Sequence, residues 1–527
     1  MRFLRPRRVA VAVLVACAAS TILVVLMGSA AYAVDPLPPD ITNGAGGLGV
    51  STNLLWICVG GALVMLMQGG FALVETGFTR KKNAAHTMGM NVAIFGTAFV
   101  AFFVIGYPLM FGGYALPHVF GYDTAVGSGL IGSGNWTILW KGPLFMAGKS
   151  SGVAVLAFFF YMAAFMDATA TIPTGAMAER WKWNNFVAWG LFCGAIYYPL
   201  FGAWTWGGGW LAKLGASANL GHGYVDFAGS GVVHAMGGVA ALAGAIVLGP
   251  RIGKYRKDGR PNAIPGHNIP MALMGVIILL FGWFGFNGAS TLAATDTRFA
   301  LIIANTTIAA AFGTIVSMFY VMKRLGKPDP AMFGNGLLAG LVAITAPCAF
   351  VSPGAAAIIG SIAAILVVEA VLFVDRCGVD DPVGAVAVHG VNGIWGVIAV
   401  GIFANGQYGG DWNGTAATGG TKTANVWGIL HGHGGGGQLV AQLIGAVVIC
   451  TVMFGIAYAF FKISDMVMKG GIRSDHDTEL AGLDVPDMGM HGYNDDNLTG
   501  FEHEYVARRP RPGAPNESTN PPAQNRP

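Results

Sequence analysis

Eleven apolar runs, each long enough to cross a bilayer, decide what this chain can fold into. They lie near residues 52–74, 85–111, 152–176, 185–206, 227–249, 268–289, 299–322, 332–350, 354–374, 383–403 and 437–463. About 20 predominantly apolar residues span the hydrocarbon core as a helix. In lipid every backbone N–H and C=O must be bonded inside the protein, so such runs become helices. The expected fold is an all-α polytopic membrane protein with eleven transmembrane helices. Only 11% of the residues are charged, against roughly a quarter in soluble domains, so a soluble enzyme is excluded. The 80 glycines follow no collagen-like period and suit close backbone approach between membrane helices.

Charge sets the topology. The N-terminus reads MRFLRPRRVAVAVLVACAASTILVVLMGSAAYA, with Arg2, Arg5, Arg7 and Arg8 ahead of a long apolar core and Ala31-Tyr32-Ala33 at its end. This is the layout of a secretory signal peptide over 1–33; an uncleaved anchor is the alternative. Either way the chain after Ala33 starts outside, and eleven crossings leave the C-terminus in the cytosol. The loops then assigned inside hold Arg80, Lys81, Lys82, Arg180, Lys182, Arg251, Lys254, Arg256, Lys257, Arg260, Lys323, Arg324, Lys327 and Arg376. Those assigned outside hold Lys141, Lys149, Lys213, Arg298 and Lys422. The asymmetry obeys the positive-inside rule, and the location expected is the inner (plasma) membrane. A transmembrane domain over 34–464 is followed by a cytosolic regulatory tail over 465–498. The Pro-rich end, 499–527, has little to bury and is expected to be disordered. The six cysteines show no CxxC spacing or disulfide framework and read as small buried hydrophobes.

Two of the apolar runs open on the same pattern. DFAGSGVVHAMGG, from Asp226, and DPVGAVAVHGVNG, from Asp381, each place Gly three residues after Asp, Val-His at the seventh and eighth, and Gly at the twelfth. They open the fifth and tenth spans, which run in opposite directions. That is the mark of an inverted-topology repeat, spans one to five against six to ten with the eleventh as an addition, and such repeats place substrate sites at their interface.

Ionisable residues inside a membrane are functional hypotheses by default, so His234 and His389 lead. Two facing imidazoles can share one proton, each as donor or acceptor; the bland reading is a histidine bonding neighbouring helices. For Asp226 and Asp381 the bland reading is helix capping, with Asp226 also able to attract a cation from outside. Trp204, Trp206 and Trp210, then Trp283, Phe284, Phe286 and Ser290, gather at outer helix ends, with Phe165 in the third span. Singly these are interfacial or packing residues; together they suit a cage for a small cation, with Ser290 as acceptor. Glu75 is expected to pair with neighbouring basic residues. Asp167 has no account. His431 and His433 lie in a glycine-rich loop and are not taken as a metal pair; no metal or cofactor is expected.

The segments DFAGSGVVHAMGGVAALAGAIVLGPR, GWFGFNGAS, TGAMAER and DDPVGAVAVHGVNGIWG resemble the hallmark segments of the ammonium transporter (Amt/Mep/Rh) family. AGLDVPDMGMHGYND resembles the cytosolic tail of its bacterial Amt branch. The resemblance runs from about 50 to 495. It implies a homotrimer with one pore per subunit. It also implies twin pore histidines at His234 and His389, a phenylalanine gate at Phe165 and Phe286, and an outer ammonium site at Trp206, Phe165 and Ser290 with Asp226 nearby. PII-type signalling proteins at the cytosolic face are the implied partners. Asp167, two residues after the gate phenylalanine, departs from the pattern. The activity implied is electrogenic uptake: ammonium is bound and deprotonated, ammonia passes the histidines, and the proton moves separately. An ammonium sensor and a neutral gas channel are the alternatives.

Overall fold

The computed structural model describes residues 45–113, 118–120, 127–148, 152–409, 412–414, 425–433 and 435–493. The expected signal peptide, the Pro-rich end and the last residues of the tail lie outside them. Among the described residues, ten helices are long and apolar enough to cross a membrane: α1 (Gly47–Phe78), α2 (Lys81–Phe111), α3 (Val153–Met177), α4 (Trp183–Trp204), α5 (Ser230–Leu248), α6 (Ile269–Thr291), α7 (Arg298–Leu325), α9 (Pro353–Arg376), α10 (Val386–Phe403) and α11 (Gly435–Val467). The eleventh, α8 (Pro330–Thr345), is apolar but has only 16 residues. At 1.5 Å per residue that is about 24 Å, short of the roughly 30 Å core.

The missing length of α8 has a local cause. The apolar run continues to about 350, but Pro347 has no N–H to offer a helix, and 346–351 fold as buried turns. Non-helical backbone at this depth has to be bonded by protein. Asn305 Nδ2 donates to Cys348 O and Val351 O, both at 2.9 Å. Phe227 N and Ala228 N donate to Ala346 O and Thr345 O at 3.2 Å.

α5 and α10, five crossings apart and so antiparallel, meet face to face at the centre. In both copies of the repeat the aspartate caps its helix. Asp226 Oδ1 accepts from Gly229 N and Oδ2 from Gly231 N and Val232 N, all at 2.8 Å. Asp381 accepts from Gly384 N at 3.0 Å and Val386 N at 2.7 Å. Gly229 and Gly384 take φ of 113° and 81°, a region that costs a side chain dearly. The twelfth-position glycines make the crossing. A Cβ on Gly238 would stand 2.1 Å from Gly390 N, and one on Gly393 2.5 Å from Ser230 O. Each copy's glycine therefore lies on the other copy's backbone, as pseudo-twofold symmetry requires.

Beyond the helices, a two-stranded hairpin pairs Ser128–Ile131 with Leu139–Lys141 in the loop before α3. At the opposite end Glu179, at φ 74°, gathers bases from two other loops. It pairs with Arg80 and, at 2.6 Å, with Arg251, while Arg251 also binds Asp380 at 2.8 Å. Burial alone would raise the Asp380 carboxyl, but Arg180 and Arg251 outweigh it and hold the group well below the usual carboxylate range. The tail lies across this face. Glu479 accepts from Ile252 N at 2.7 Å, Asp484 from His86 N at 2.8 Å, and Lys82 Nζ donates to Glu479 O at 2.7 Å.

Candidate functional site

Three of the expected pore residues sit on π turns, in which one extra residue widens the helix. His234 lies in Ser230–Ala235, Phe286 in Phe284–Gly288 and His389 in Val386–Val391. Such turns recur at functional sites because they break the regular face and re-aim side chains.

These side chains form a line. At one end a vestibule of about 670 Å³ is bordered by Trp206, Phe165 and Ser290. The Phe165 ring meets Trp206 edge-on at 5.8 Å and stacks on Phe286 at 4.1 Å. Phe286 lies 5.3 Å from His234, and His234 stacks on Trp283 at 4.9 Å. His234 Nδ1 is 3.2 Å from His389 Nδ1. That contact holds a single proton, so one ring donates while the other accepts. His234 Nε2 is buried and has no hydrogen-bond partner among the described residues.

The outer residues are held by bonds that sequence reasoning missed. Ser290 Oγ donates to Phe286 O at 2.7 Å, which leaves it an acceptor toward Tyr161 and toward a donor in the vestibule. Tyr161, buried, places its hydroxyl 3.1 Å from Ser290 Oγ and 4.8 Å ring to ring from Phe165. Nothing in the sequence marks Tyr161 apart from any other aromatic of α3. The Trp206 indole donates to Asp226 O at 2.7 Å. Lys213 and Arg298 also border the vestibule, the first bonded to Asn413 O and the second paired with Asp296.

Asp226 does not border the vestibule. Its carboxylate is 1% exposed and faces three amides of α5; it reaches the cage only through its backbone bond to Trp206. Of the aromatic set, Trp206, Phe165, Phe286 and Trp283 come together. Trp204 and Trp210 pack on each other at 5.8 Å, and Phe284 packs on Phe281. Glu75 departs from expectation. Its partners are Asn91 Nδ2 at 2.6 Å and Thr174 Oγ1 at 2.8 Å, while Arg80 turns to Glu179 and Lys82 to the carbonyls of Glu479 and Leu480. Asp167 is buried in α3 with Oδ1 unbonded. The His433 ring packs on Trp427 at 4.4 Å, and no group of three or more metal-ligating residues occurs among the described residues.

Comparison with known proteins identifies the family of the chain. Residues 55–493 match the model of the Ammonium Transporter Family. Ammonium transporter Amt2 of Archaeoglobus fulgidus is 42% identical over 478 residues, covering 90% of this chain and 94% of the relative. Ammonium transporter Amt1 of Haloferax mediterranei is 34% identical, covering 84% and 79%. Among solved structures, one described as a sensor Amt protein aligns with a TM-score of 0.71 at 34% identity, covering 84% of this chain and 99% of that one. Mep2 of Candida albicans aligns with a TM-score of 0.66 at 29% identity, covering 81% and 87%.

Proposed function

Since this chain belongs to the ammonium transporter family, a multi-pass membrane family, we propose that it takes up ammonium electrogenically through the line of residues described above. Ammonium enters the vestibule and binds between Trp206 and Phe165, with Ser290 accepting an N–H. A desolvated cation–π contact contributes about 2 kcal/mol. Moving an ion of this size into low dielectric costs on the order of 20 kcal/mol by the Born estimate and several in practice. The cage therefore selects a cation at the mouth but cannot carry it through the apolar pore. Ammonium gives up a proton at the stacked Phe165–Phe286 gate, and neutral ammonia passes beside His234 and His389. The proton crosses separately by way of the imidazoles. Potassium has no proton to give and is rejected at that step.

The observation that carries this reading is the uninterrupted contact from Trp206 through Phe165 and Phe286 to His234 and His389. Asp226 holds the start of α5, and with it His234, and anchors Trp206. The wider proposal places the vestibule outside and the tail in the cytosol of an inner-membrane homotrimer. The N-terminal 33 residues act as a signal peptide, and a PII-type protein docks at the tail face.

Solid-supported-membrane electrophysiology on proteoliposomes tests it. An ammonium pulse evokes a current, a potassium pulse does not, and His234→Ala or His389→Ala abolishes it. Ammonia entry without any wild-type current would sink the electrogenic mechanism. The match to a sensor Amt protein favours a second reading, in which binding is reported through the tail; signalling lost with flux intact on tail truncation would support it.

A further inference from the structure

On the far side of the histidine pair from the gate, a cavity of about 20 Å³ is bordered by His389, Glu75, Asn335, Phe71 and Val383. It has room for one water, which needs roughly 10–15 Å³ and two to four polar partners. Three are present. His389 Nδ1 is taken by His234, leaving Nε2 as the ring's other polar atom. Asn335 is 6% exposed, and its Oδ1 is buried without a partner while its Nδ2 donates to Val383 O at 3.2 Å. Glu75 is 2% exposed, and its hydrogen bonds all come from neutral groups.

The surroundings of Glu75 suit either protonation state. Thr174 Oγ1 lies 2.8 Å from both carboxylate oxygens and 2.5 Å from Thr171 O, and a hydroxyl has only one proton to give. With Glu75 ionised, Thr174 donates to it. With Glu75 protonated, Glu75 donates to Thr174, which turns its own proton to Thr171 O. Asn91, fixed by Gln68 Nε2 on its own O at 2.7 Å, keeps its bond to Glu75 throughout.

We propose that Glu75 is the proton acceptor on the inner side of the pore, reached from His389 through one water that Asn335 Oδ1 positions. This rests on the electrogenic reading above. A proton arriving at His234 Nε2 sends the Nδ1 proton of His234 to His389 Nδ1. The Nε2 proton of His389 passes to the water, and a water proton passes to the Glu75 carboxylate. Only N–H and O–H bonds change, and one positive charge moves inward for each ammonia conducted.

The test is the ammonium-evoked current of wild type, Glu75→Gln, Glu75→Asp and Asn335→Val in proteoliposomes, with thermal unfolding in detergent and a pH profile of the current. Glu75→Gln keeps the shape and can bond Thr174 but carries no proton; its current is expected to fall at least tenfold with little change in unfolding midpoint. Glu75→Asp restores part of the current with a displaced acid limb, which a merely structural role would not produce. Asn335→Val, with Glu75 intact, loses most of the current. A Glu75→Gln current equal to wild type overturns the proposal. So does a normal current in Asn335→Val, which decides the matter should Glu75→Gln fail to fold. Absence of current in the wild type instead removes the electrogenic reading itself, and this proposal with it.

Discussion

Gly238→Ala isolates the geometry on which the histidine pair depends, because it adds one methyl group at a helix crossing and touches neither imidazole. The new Cβ would stand 2.1 Å from Gly390 N and 2.3 Å from Gly390 Cα. That is about 1.3 Å inside the 3.4 Å at which ordinary contact begins. Both neighbours are backbone, so neither can rotate away, and α10 has to move. If α5 and α10 part as rigid bodies by that amount, the 3.2 Å contact between His234 and His389 opens to about 4 Å or more, beyond hydrogen-bond range. Overpacking of this kind costs about 1–3 kcal/mol, enough to lower the melting temperature without unfolding the protein. The assay is the ammonium-evoked current beside thermal unfolding in detergent, with Gly69→Ala, where a Cβ meets nothing within 4 Å, as control. The expected result is a current reduced at least tenfold in Gly238→Ala and unchanged in Gly69→Ala. A Gly238→Ala protein that conducts and melts like wild type would refute the claim that glycine at this crossing sets the histidine separation.

Two further outcomes are expected. Asp380 is held below the usual carboxylate range by Arg180 and Arg251; a depressed native pKa adds stability above the unfolded value of about 3.9 that is lost as pH falls below it. Thermal midpoints should therefore be level from pH 8 to 5 and drop below about 4, and Asp380→Asn should be less stable at neutral pH with a flatter acid limb; an identical acid limb in both would contradict this. Glu479→Ala removes the acceptor of Ile252 N and the partner of Arg473, at about 1–3 kcal/mol, so limited proteolysis should cut the tail several-fold faster, and an unchanged cleavage rate would argue against a docked tail.

Much of this fold is legible in the chain because the bilayer simplifies the code. Length and hydropathy give the spans, and the doubled Asp-to-His pattern gives the central pair. Each position of that pattern has a local meaning: Asp accepts amides, the first Gly turns the chain, His meets His, and the last Gly admits the other helix. What stays hidden depends on tertiary neighbours. Asp226 looks like a cation site from its place at an outer helix end, yet its oxygens are consumed by its own helix. Glu75 looks like a partner for the neighbouring bases, but Glu179 captures Arg80 through a left-handed backbone turn that no spacing rule marks, and Lys82 goes to carbonyls of the tail. Tyr161 orients Ser290 from 129 residues away. The apolar run near 332–350 reads as one helix because hydropathy does not register that Pro347 ends it early.

The π turns at His234, Phe286 and His389 make these side chains sensitive to counting rather than to chemistry. Successive residues of an α-helix are rotated by about 100°, so a helix with one residue too many must either bulge or turn everything beyond it by that angle. Here the bulge absorbs the surplus. Inserting one further residue into Ser230–Ala235, with no second bulge to absorb it, would leave the apolar run long enough to cross and still swing one side of α5 against the other by about 100°, more than a quarter turn. The pore is thus encoded partly in integers. Between proteins with the same hydropathy profile, one unabsorbed residue at these turns separates this line of side chains from an ordinary bundle.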